Sequence, residues 1–319
     1  MSNEPSGPGR GSGEQRIDGG RAETGRRTWG TVDRARSRLA ASRERVSLLA
    51  GVVAVVAVAA ATALTVLRNL PYDPVVVPEP LRAVVAVAAP FAIGVALVAV
   101  AVASRRDAVR VGLVFSGVFG RLAAGDAGGA LPATVAVTAG GGVALLGGLG
   151  RPETYRQFRR SVIAALIVAG VGVSLGSATG LLSAGFRGPG GILAILGLAA
   201  LGVRAEGDRL ALLAGAVAFG LVGVAAATRP FVVGSGLLVG FAVVDVPHLL
   251  VALAFGGGTA AAVAGLRRRE YGLAVGAGLL LSAGVPATLS AAMAVVLGAS
   301  FAVVSLERLV GTDRDTRDS

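Results

Sequence analysis

The sequence lacks several residue types, and each absence excludes a class of chemistry. There is no cysteine, which excludes disulfides, thiolate metal sites and thiol redox chemistry. There is no lysine, so all 30 basic residues are arginines, and there is a single histidine. One histidine without cysteine argues against a transition-metal site. Aromatic residues make up 4% of the chain, too few to suggest a surface that stacks on bases.

Charge is scarce as well. Charged residues make up 15% of the 319 residues, hydrophobic residues make up 54%, and the mean hydropathy is +0.73. A soluble domain has about a quarter charged residues, so this composition excludes a soluble globular protein and a fully disordered chain. The net charge of +11 comes from arginines that flank apolar runs. We therefore predict an integral membrane protein with no nucleic-acid partner.

The chain divides into three predicted parts. Residues 1–45 are a polar tail with ten arginines against six acidic residues, predicted to be disordered, cytoplasmic and helical only from about Thr31 onward. Residues 46–308 contain the apolar runs and are predicted to form the transmembrane bundle. Residues 309–319 are a short polar C-terminal tail. The first run, Val46–Leu67, would be about 33 Å long as a helix, enough to cross a hydrocarbon core of about 30 Å.

Eight further apolar runs predict an all-α, polytopic transmembrane helix bundle of about ten spans. The runs are Ala83–Ser104, Ala108–Ala124, Ala130–Leu149, Ser161–Ala184, Gly190–Val203, Leu210–Ala227, Phe231–Leu266 and Tyr271–Leu306. The last two are too long for one membrane crossing each, so both are predicted to break. We expect the second to break near Gly284-Val285-Pro286. In the first, Gly256-Gly257-Gly258 is expected to separate a re-entrant or interfacial piece, Thr259–Gly265.

The distribution of arginines decides between alternative topologies, because short cytoplasmic loops carry the excess of basic residues. If Ala108–Ala124 spans and Phe231–Leu266 crosses once, ten crossings leave 15 arginines inside, besides the tail, and 5 outside. A second ten-span path, with Ala108–Ala124 lying on the membrane and Phe231–Leu266 crossing twice, gives 12 and 8. Eleven crossings give 9 and 11. We favour the first path, in a plasma membrane protein with both termini in the cytoplasm.

Polar residues inside the apolar runs are the candidate functional residues, because they are costly in a membrane. Asp245 and His248 are three residues apart, a spacing that brings two side chains to one helix face. Such a pair can relay protons or bind a cation, although a turn between two short helices, wetted at the interface, is the favoured explanation. Arg121 is the second candidate, as an anion contact or as a partner for Asp126 or Asp245. Snorkelling to the interface is the favoured explanation of Arg121.

Other signatures of chemistry are missing from the sequence. There is no His-Glu-x-x-His motif, no phosphate-binding loop and no carboxylate pair at metal-ligand spacing. We therefore predict no catalytic residues, no cofactor, no metal site and no enzymatic activity. The segment Arg151–Arg160 is the largest internal basic patch after the tail. Its residues Arg151, Arg156, Arg159 and Arg160 are predicted to contact anionic lipid headgroups, or alternatively a partner protein.

The lysine-free spans rich in alanine, valine and glycine resemble uncharacterised multi-spanning membrane proteins of halophilic archaea. The stretches RPETYRQFRRSVIAALIVAG and AGVPATLSAAMAVVLGASFAVVSLERL carry the resemblance, which covers about residues 46–308. It implies no catalytic residue and, at most, an accessory role beside a MoxR-type ATPase or another membrane partner. The predicted function is a structural or accessory membrane component that contacts partners or lipids. The alternatives are a small-solute or ion transporter that uses Asp245 and His248, and, less favoured, a lipid-modifying enzyme.

Overall fold

The computed structural model describes residues 19–70, 78–124, 129–149, 154–227, 241 and 246–312. The chain divides into two compact units, residues 1–42 and residues 43–319. Every regular element within the described residues is helical, as the sequence predicts. Asp126, Arg151 and Asp245 lie outside these residues, as does the tail before Gly19, for which the sequence predicts disorder.

Eleven α-helices lie within the described residues. In chain order they are α1 Gly19–Arg68, α2 Glu79–Ala103, α3 Asp107–Val114, α4 Gly120–Ala124, α5 Ala130–Leu149, α6 Tyr155–Ala178, α7 Arg187–Leu201, α8 Arg209–Ala227, α9 His248–Arg267, α10 Tyr271–Ala283 and α11 Leu289–Thr312. A π-helical turn, Phe115–Phe119, joins α3 to α4 without a break. Helix α1 begins at Gly19, well before the predicted Thr31, because extending an existing helix costs far less than nucleating one.

Six helices in the described residues are long and apolar enough to cross a membrane. They are Ser42–Arg68, Glu79–Ala103, Ala130–Leu149, Gln157–Ala178, Ala184–Ala205 and His248–Arg267. Three shorter apolar helices accompany them: Arg209–Ala225, Tyr271–Ala283 and Leu289–Ala302. Large apolar side chains such as Val56, Val87 and Leu221 are exposed on the helices, as expected for surfaces that face lipid. The bundle is thus a polytopic membrane fold.

The glycines of α9 do not break the helix. Helix α9 continues from His248 to Arg267 through Gly256, Gly257 and Gly258, so the predicted re-entrant piece Thr259–Gly265 is wrong. A methyl group on Gly257 would lie 2.5 Å from the carbonyl oxygen of Ala199 on α7, and one on Gly256 would lie 3.0 Å from the Gly215 carbonyl oxygen on α8. These glycines let three helix backbones approach closely, which is how membrane helices associate.

The two long apolar runs do break, close to their prolines. Helix α9 begins directly after Pro247, which occupies its N-cap position. Helix α10 ends at Ala283, and Gly284 follows with a φ of 64°, a conformation that favours glycine. The N–H of Val285 then donates to the carbonyl oxygen of Phe241 at 3.1 Å. The predicted break near Gly284-Val285-Pro286 is confirmed.

One end of the bundle collects the arginines, and we call it the arginine end. It comprises the end of α2, the start of α3, the end of α5, the start of α6, the end of α7, the start of α8 and the turn between α9 and α10. Arg106 donates to the Gly148 carbonyl oxygen, and Arg268 donates to the carbonyl oxygens of Arg204 and Glu206 at 2.9 and 3.0 Å. These contacts hold helix ends that are distant in sequence side by side.

The other ends of the same helices meet at the opposite side of the bundle. The Thr62 hydroxyl donates to the Ser282 carbonyl oxygen at 2.7 Å, and Thr134 donates to the Thr179 hydroxyl oxygen at 3.3 Å. A methyl group on Gly191 would lie 3.3 Å from both Val246 and Val285. If α3, the π-helical turn and α4 are counted as one segment, successive helical segments therefore alternate in direction between the arginine end and this opposite end.

Candidate functional site

His248 lies at the start of α9, at the end of the bundle opposite the arginines. Its side chain is half-buried, and its Nδ1 lies 3.4 Å from the carbonyl oxygen of Val246. The predicted partner Asp245 lies outside the described residues, so the Asp245–His248 pair stays a prediction. The position of His248 at the start of a helix, next to a backbone carbonyl oxygen, also agrees with the simpler explanation, a turn between two short helices.

Arg121 lies in α4 and is exposed. Its Cγ would be 4.0 Å from a methyl group on Gly94 of α2. Within the described part of the chain, Arg121 makes no hydrogen bond and no ion pair. Helix α9, which carries His248, packs against α8, α7 and α10 instead. The two described candidates therefore lie on helices with different neighbours, and an anion-binding role for Arg121 stays a prediction.

The densest group of charges lies at the arginine end, where Arg204 faces Glu270. The Arg204 Nη2 and Glu270 Oε2 atoms are 3.9 Å apart, and the two side chains are only 16% and 18% exposed. Arg159, Arg160 and Arg268 lie close enough to repel Arg204. Arg204 thus has one carboxylate and three guanidinium groups as charged neighbours, so this part of the arginine end carries an excess of positive charge. We call Arg159, Arg160, Arg204, Arg268 and Glu270 the arginine cluster.

Asp208 also lies at the arginine end, beside the arginine cluster. It precedes α8 and its Oδ1 accepts a hydrogen bond from the N–H of Ala211 at 3.2 Å, the usual role of an N-cap carboxylate. Arg267 forms a hydrogen-bonded ion pair with the same oxygen. The Ala211 N–H first, and then the Arg267 guanidinium, hold the pKa of Asp208 below its ordinary value of 3.8. The carboxylate therefore ties α8 to the end of α9.

A cavity of about 360 Å³ opens at the arginine end, and we call it the interface cavity. Glu44 and Ser47 contribute from α1, and Ser104 from the end of α2. The turn between α9 and α10 contributes Arg268, Arg269 and Glu270. Leu48, Val100, Tyr271 and Phe301 supply apolar and aromatic surface. A second cavity, between α7, α9, α10 and α11, has only about 20 Å³ and a mainly apolar lining.

The sequence predicts part of this surface and misses the rest. Arg159 and Arg160, which the sequence assigns to lipid headgroups, are half-buried at the start of α6. The side chain of Arg156 is not among those described. Arg204, Glu270 and Arg269 are missed, because they come together only through the packing of α7 against α9. The run Arg267-Arg268-Arg269-Glu270 was the signal, but its charges point equally to a solvated loop.

Metal chemistry receives no support from the described residues, where no group of three or more histidine, aspartate or glutamate side chains is arranged to hold an ion. Comparison with known proteins gives one match. The sequence profile of an integral membrane family of unknown function (DUF8068) matches residues 47–303. No curated protein and no solved structure matches the chain. The matched residues extend from the start of the first span into α11.

Proposed function

Because the chain belongs to this integral membrane family of unknown function, we propose that it is an accessory membrane component whose arginine end contacts anionic lipid headgroups. The carrying observation is the arginine cluster, in which Arg204 faces Glu270 and also lies close to three further guanidinium groups, those of Arg159, Arg160 and Arg268. Excess cationic charge at the ends of spans favours anionic headgroups. Arg151 and Arg156, close by in sequence, would extend the same surface.

We also propose ten membrane passes with both termini in the cytoplasm of a plasma membrane protein. The shared arginine end supports this topology, because the arrangement that gathers Arg106, Arg204 and Arg268 at one end is the one with 15 cytoplasmic arginines. The direction of α9, which begins at the opposite end and ends at the arginine end, supports it too. An origin in a halophilic archaeon and a partnership with an ATPase rest on the resemblance of composition and are kept as proposals.

The transporter alternative calls for a polar cavity near the middle of the membrane. The interface cavity lies instead at one end, and the small cavity between α7 and α9 has a mainly apolar lining. An accessory role therefore accounts better for the described residues. If the alternative holds, Asp245→Asn will abolish a proton-coupled flux in vesicles.

The test of headgroup contact uses the full chain in lipid nanodiscs. We expect phosphatidylglycerol, added to a phosphatidylcholine nanodisc, to raise the melting temperature of the wild type. Replacing Arg159 and Arg160 by Gln removes two cationic charges from the arginine cluster and should reduce that rise. The matched control is Arg187→Gln, at the opposite end of the bundle. An equal rise in all three proteins would overturn the proposed contact.

A further inference from the structure

The interface cavity differs from an open charged surface because it combines an available cation, a buried hydroxyl and apolar walls. Its volume of about 360 Å³ lies at the lower end of the range of small-molecule pockets, which is roughly 300–1,000 Å³. We propose that this cavity binds the phosphodiester headgroup of one membrane lipid, with Arg269 and Ser104 in contact with the phosphate. The inference rests on the proposed position of the arginine end at the headgroups.

Arg269 is held in an uncommon backbone conformation at the cavity. Its φ is 59°, the one positive φ of a non-glycine residue in the described chain. The N–H of Arg269 donates to the Leu266 carbonyl oxygen and that of Glu270 to the Gly265 carbonyl oxygen, the Schellman pattern that ends α9. Glycine is the favoured residue at this position. An arginine there bears a backbone cost, and such costs concentrate at functional sites.

The Arg269 side chain is available to a ligand. It is exposed, lines the cavity, and makes no hydrogen bond or ion pair with any of the described residues. Its neighbour Arg268 donates to two backbone carbonyl oxygens, which do not neutralise its charge. Glu270 faces Arg204 across the cluster. A bound anion could therefore neutralise the guanidinium charges of Arg268 and Arg269 at this turn.

Ser104 supplies a donor from the opposite wall. The residue is 8% exposed, and its hydroxyl oxygen accepts the N–H of Arg106 at 3.3 Å. Its own proton is thus left to donate into the cavity. Ser300, by contrast, already donates to the Val296 carbonyl oxygen at 2.7 Å. Arg269 and Ser104 can therefore both donate hydrogen bonds to phosphate oxygens.

The remaining lining limits the charge of the ligand and connects it to the membrane. Glu44 adds a carboxylate to the cavity, which disfavours a dianionic phosphate monoester and suits a phosphodiester with one negative charge. Leu48, Val100 and Phe301 make apolar walls. Leu49 on α1 and Val102 near the end of α2 are 66% and 52% exposed. The cavity holds a headgroup, and acyl chains can continue along these outer surfaces.

The experiment measures retention of one lipid on the full chain by native mass spectrometry in detergent. Phosphatidylglycerol is the lipid probe and inorganic phosphate the soluble probe. We expect the wild type to retain one phosphatidylglycerol molecule, and a thirtyfold excess of inorganic phosphate not to displace it. Arg269→Gly should weaken retention about tenfold, the loss expected for a charge-assisted hydrogen bond. The same variant should melt at a higher temperature without lipid, because glycine suits the backbone.

Further variants separate the site from general charge effects. Arg269→Gln keeps the backbone cost but removes the charge, and Ser104→Ala removes the donor, so both should also weaken retention. Arg209→Ala is the matched control, an exposed arginine at the same end that does not line the cavity. Unchanged retention in Arg269→Gly and Arg269→Gln overturns the proposed site. Displacement by inorganic phosphate overturns the lipid as its source.

The outcomes also distinguish this site from the proposed function. Replacing Arg159 and Arg160 by Gln should reduce the general response to anionic lipid but leave the single retained molecule. If the Arg269 variants lose that molecule while the Arg159 and Arg160 variants change nothing, the cavity stands and the broader headgroup contact fails. If the reverse occurs, the broader contact stands and the cavity assignment fails.

Discussion

At the scale of single residues, close packing decides which glycines are needed. A methyl group on Gly257 would lie 2.5 Å from the Ala199 carbonyl oxygen, whereas one on Gly220 of α8 would meet no atom within 4 Å. We expect Gly257→Ala to destabilise the protein by about 1–3 kcal/mol, the usual cost of overpacking. Gly220→Ala is the matched control and should stabilise by about 0.5–1 kcal/mol, because alanine loses less entropy in a helix. Thermal unfolding in one detergent measures both changes.

This comparison also checks how α9 is packed. If Gly257→Ala and Gly220→Ala have the same effect, α7 and α9 are not in backbone contact and the described crossing is wrong. Opposite signs support the contact.

Asp208 links a single ionisation to stability. Its pKa is held below the ordinary value of 3.8 by the Ala211 N–H and by Arg267, so its charged form stabilises the folded state. This contribution is complete above about pH 3.8 and is lost as the pH falls through the lower pKa of the folded state. Asparagine can cap α8 as well as aspartate but carries no charge. We expect Asp208→Asn to lower the melting temperature at pH 7.

The pH dependence identifies the cause of that change. The difference between wild type and Asp208→Asn should shrink as the pH is lowered past 3.8, because protonated aspartate resembles asparagine. Melting curves between about pH 3 and pH 7 measure it. A difference that is constant over this range would mean that shape rather than charge is responsible.

At the scale of single elements, helix starts follow from local sequence. The Thr154 hydroxyl accepts the N–H of Gln157 at 3.3 Å, and the Gln157 side chain accepts the N–H of Thr154 at 3.1 Å. This capping box begins α6. We expect Thr154→Ala to cost about 1 kcal/mol, measured by thermal unfolding, whereas Thr154→Ser should be nearly neutral because it keeps the hydroxyl. Equal losses in both variants would contradict a capping role.

The difference between local sequence preferences and contacts between distant residues explains how much of the fold and the site could be predicted. The break near Gly284 depends on local backbone preferences, so the sequence predicts it. The Gly256–Gly258 run was misassigned because glycine serves equally for a break and for close packing. Only the neighbouring Gly215 and Ala199 decide between the two. Arg204 and Glu270 are far apart in the sequence, so no local sequence pattern predicts that they pair at the arginine end.

At the scale of the whole molecule, the alternation of helix directions leads to a topology that can be tested residue by residue. The chain has no cysteine, so each introduced cysteine reports one position. Arg110 and Glu206 are exposed at the arginine end, whereas Asn69 and Gly185 are exposed at the opposite end. We expect cysteines at Arg110 and Glu206 to react only from the cytoplasmic side, and cysteines at Asn69 and Gly185 only from the outside.

Each alternative topology fails this test at a different residue. In the second ten-span path, Glu206 would react from the outside and Gly185 from the cytoplasm. In the eleven-span path, the turn between α9 and α10 would lie outside, so a cysteine at Tyr271 would react there. The proposed topology requires Tyr271 to react from the cytoplasm together with Glu206. Because Arg268 at that turn donates to the Glu206 carbonyl oxygen at 3.0 Å, labelling of these two positions from opposite sides would contradict the described packing as well.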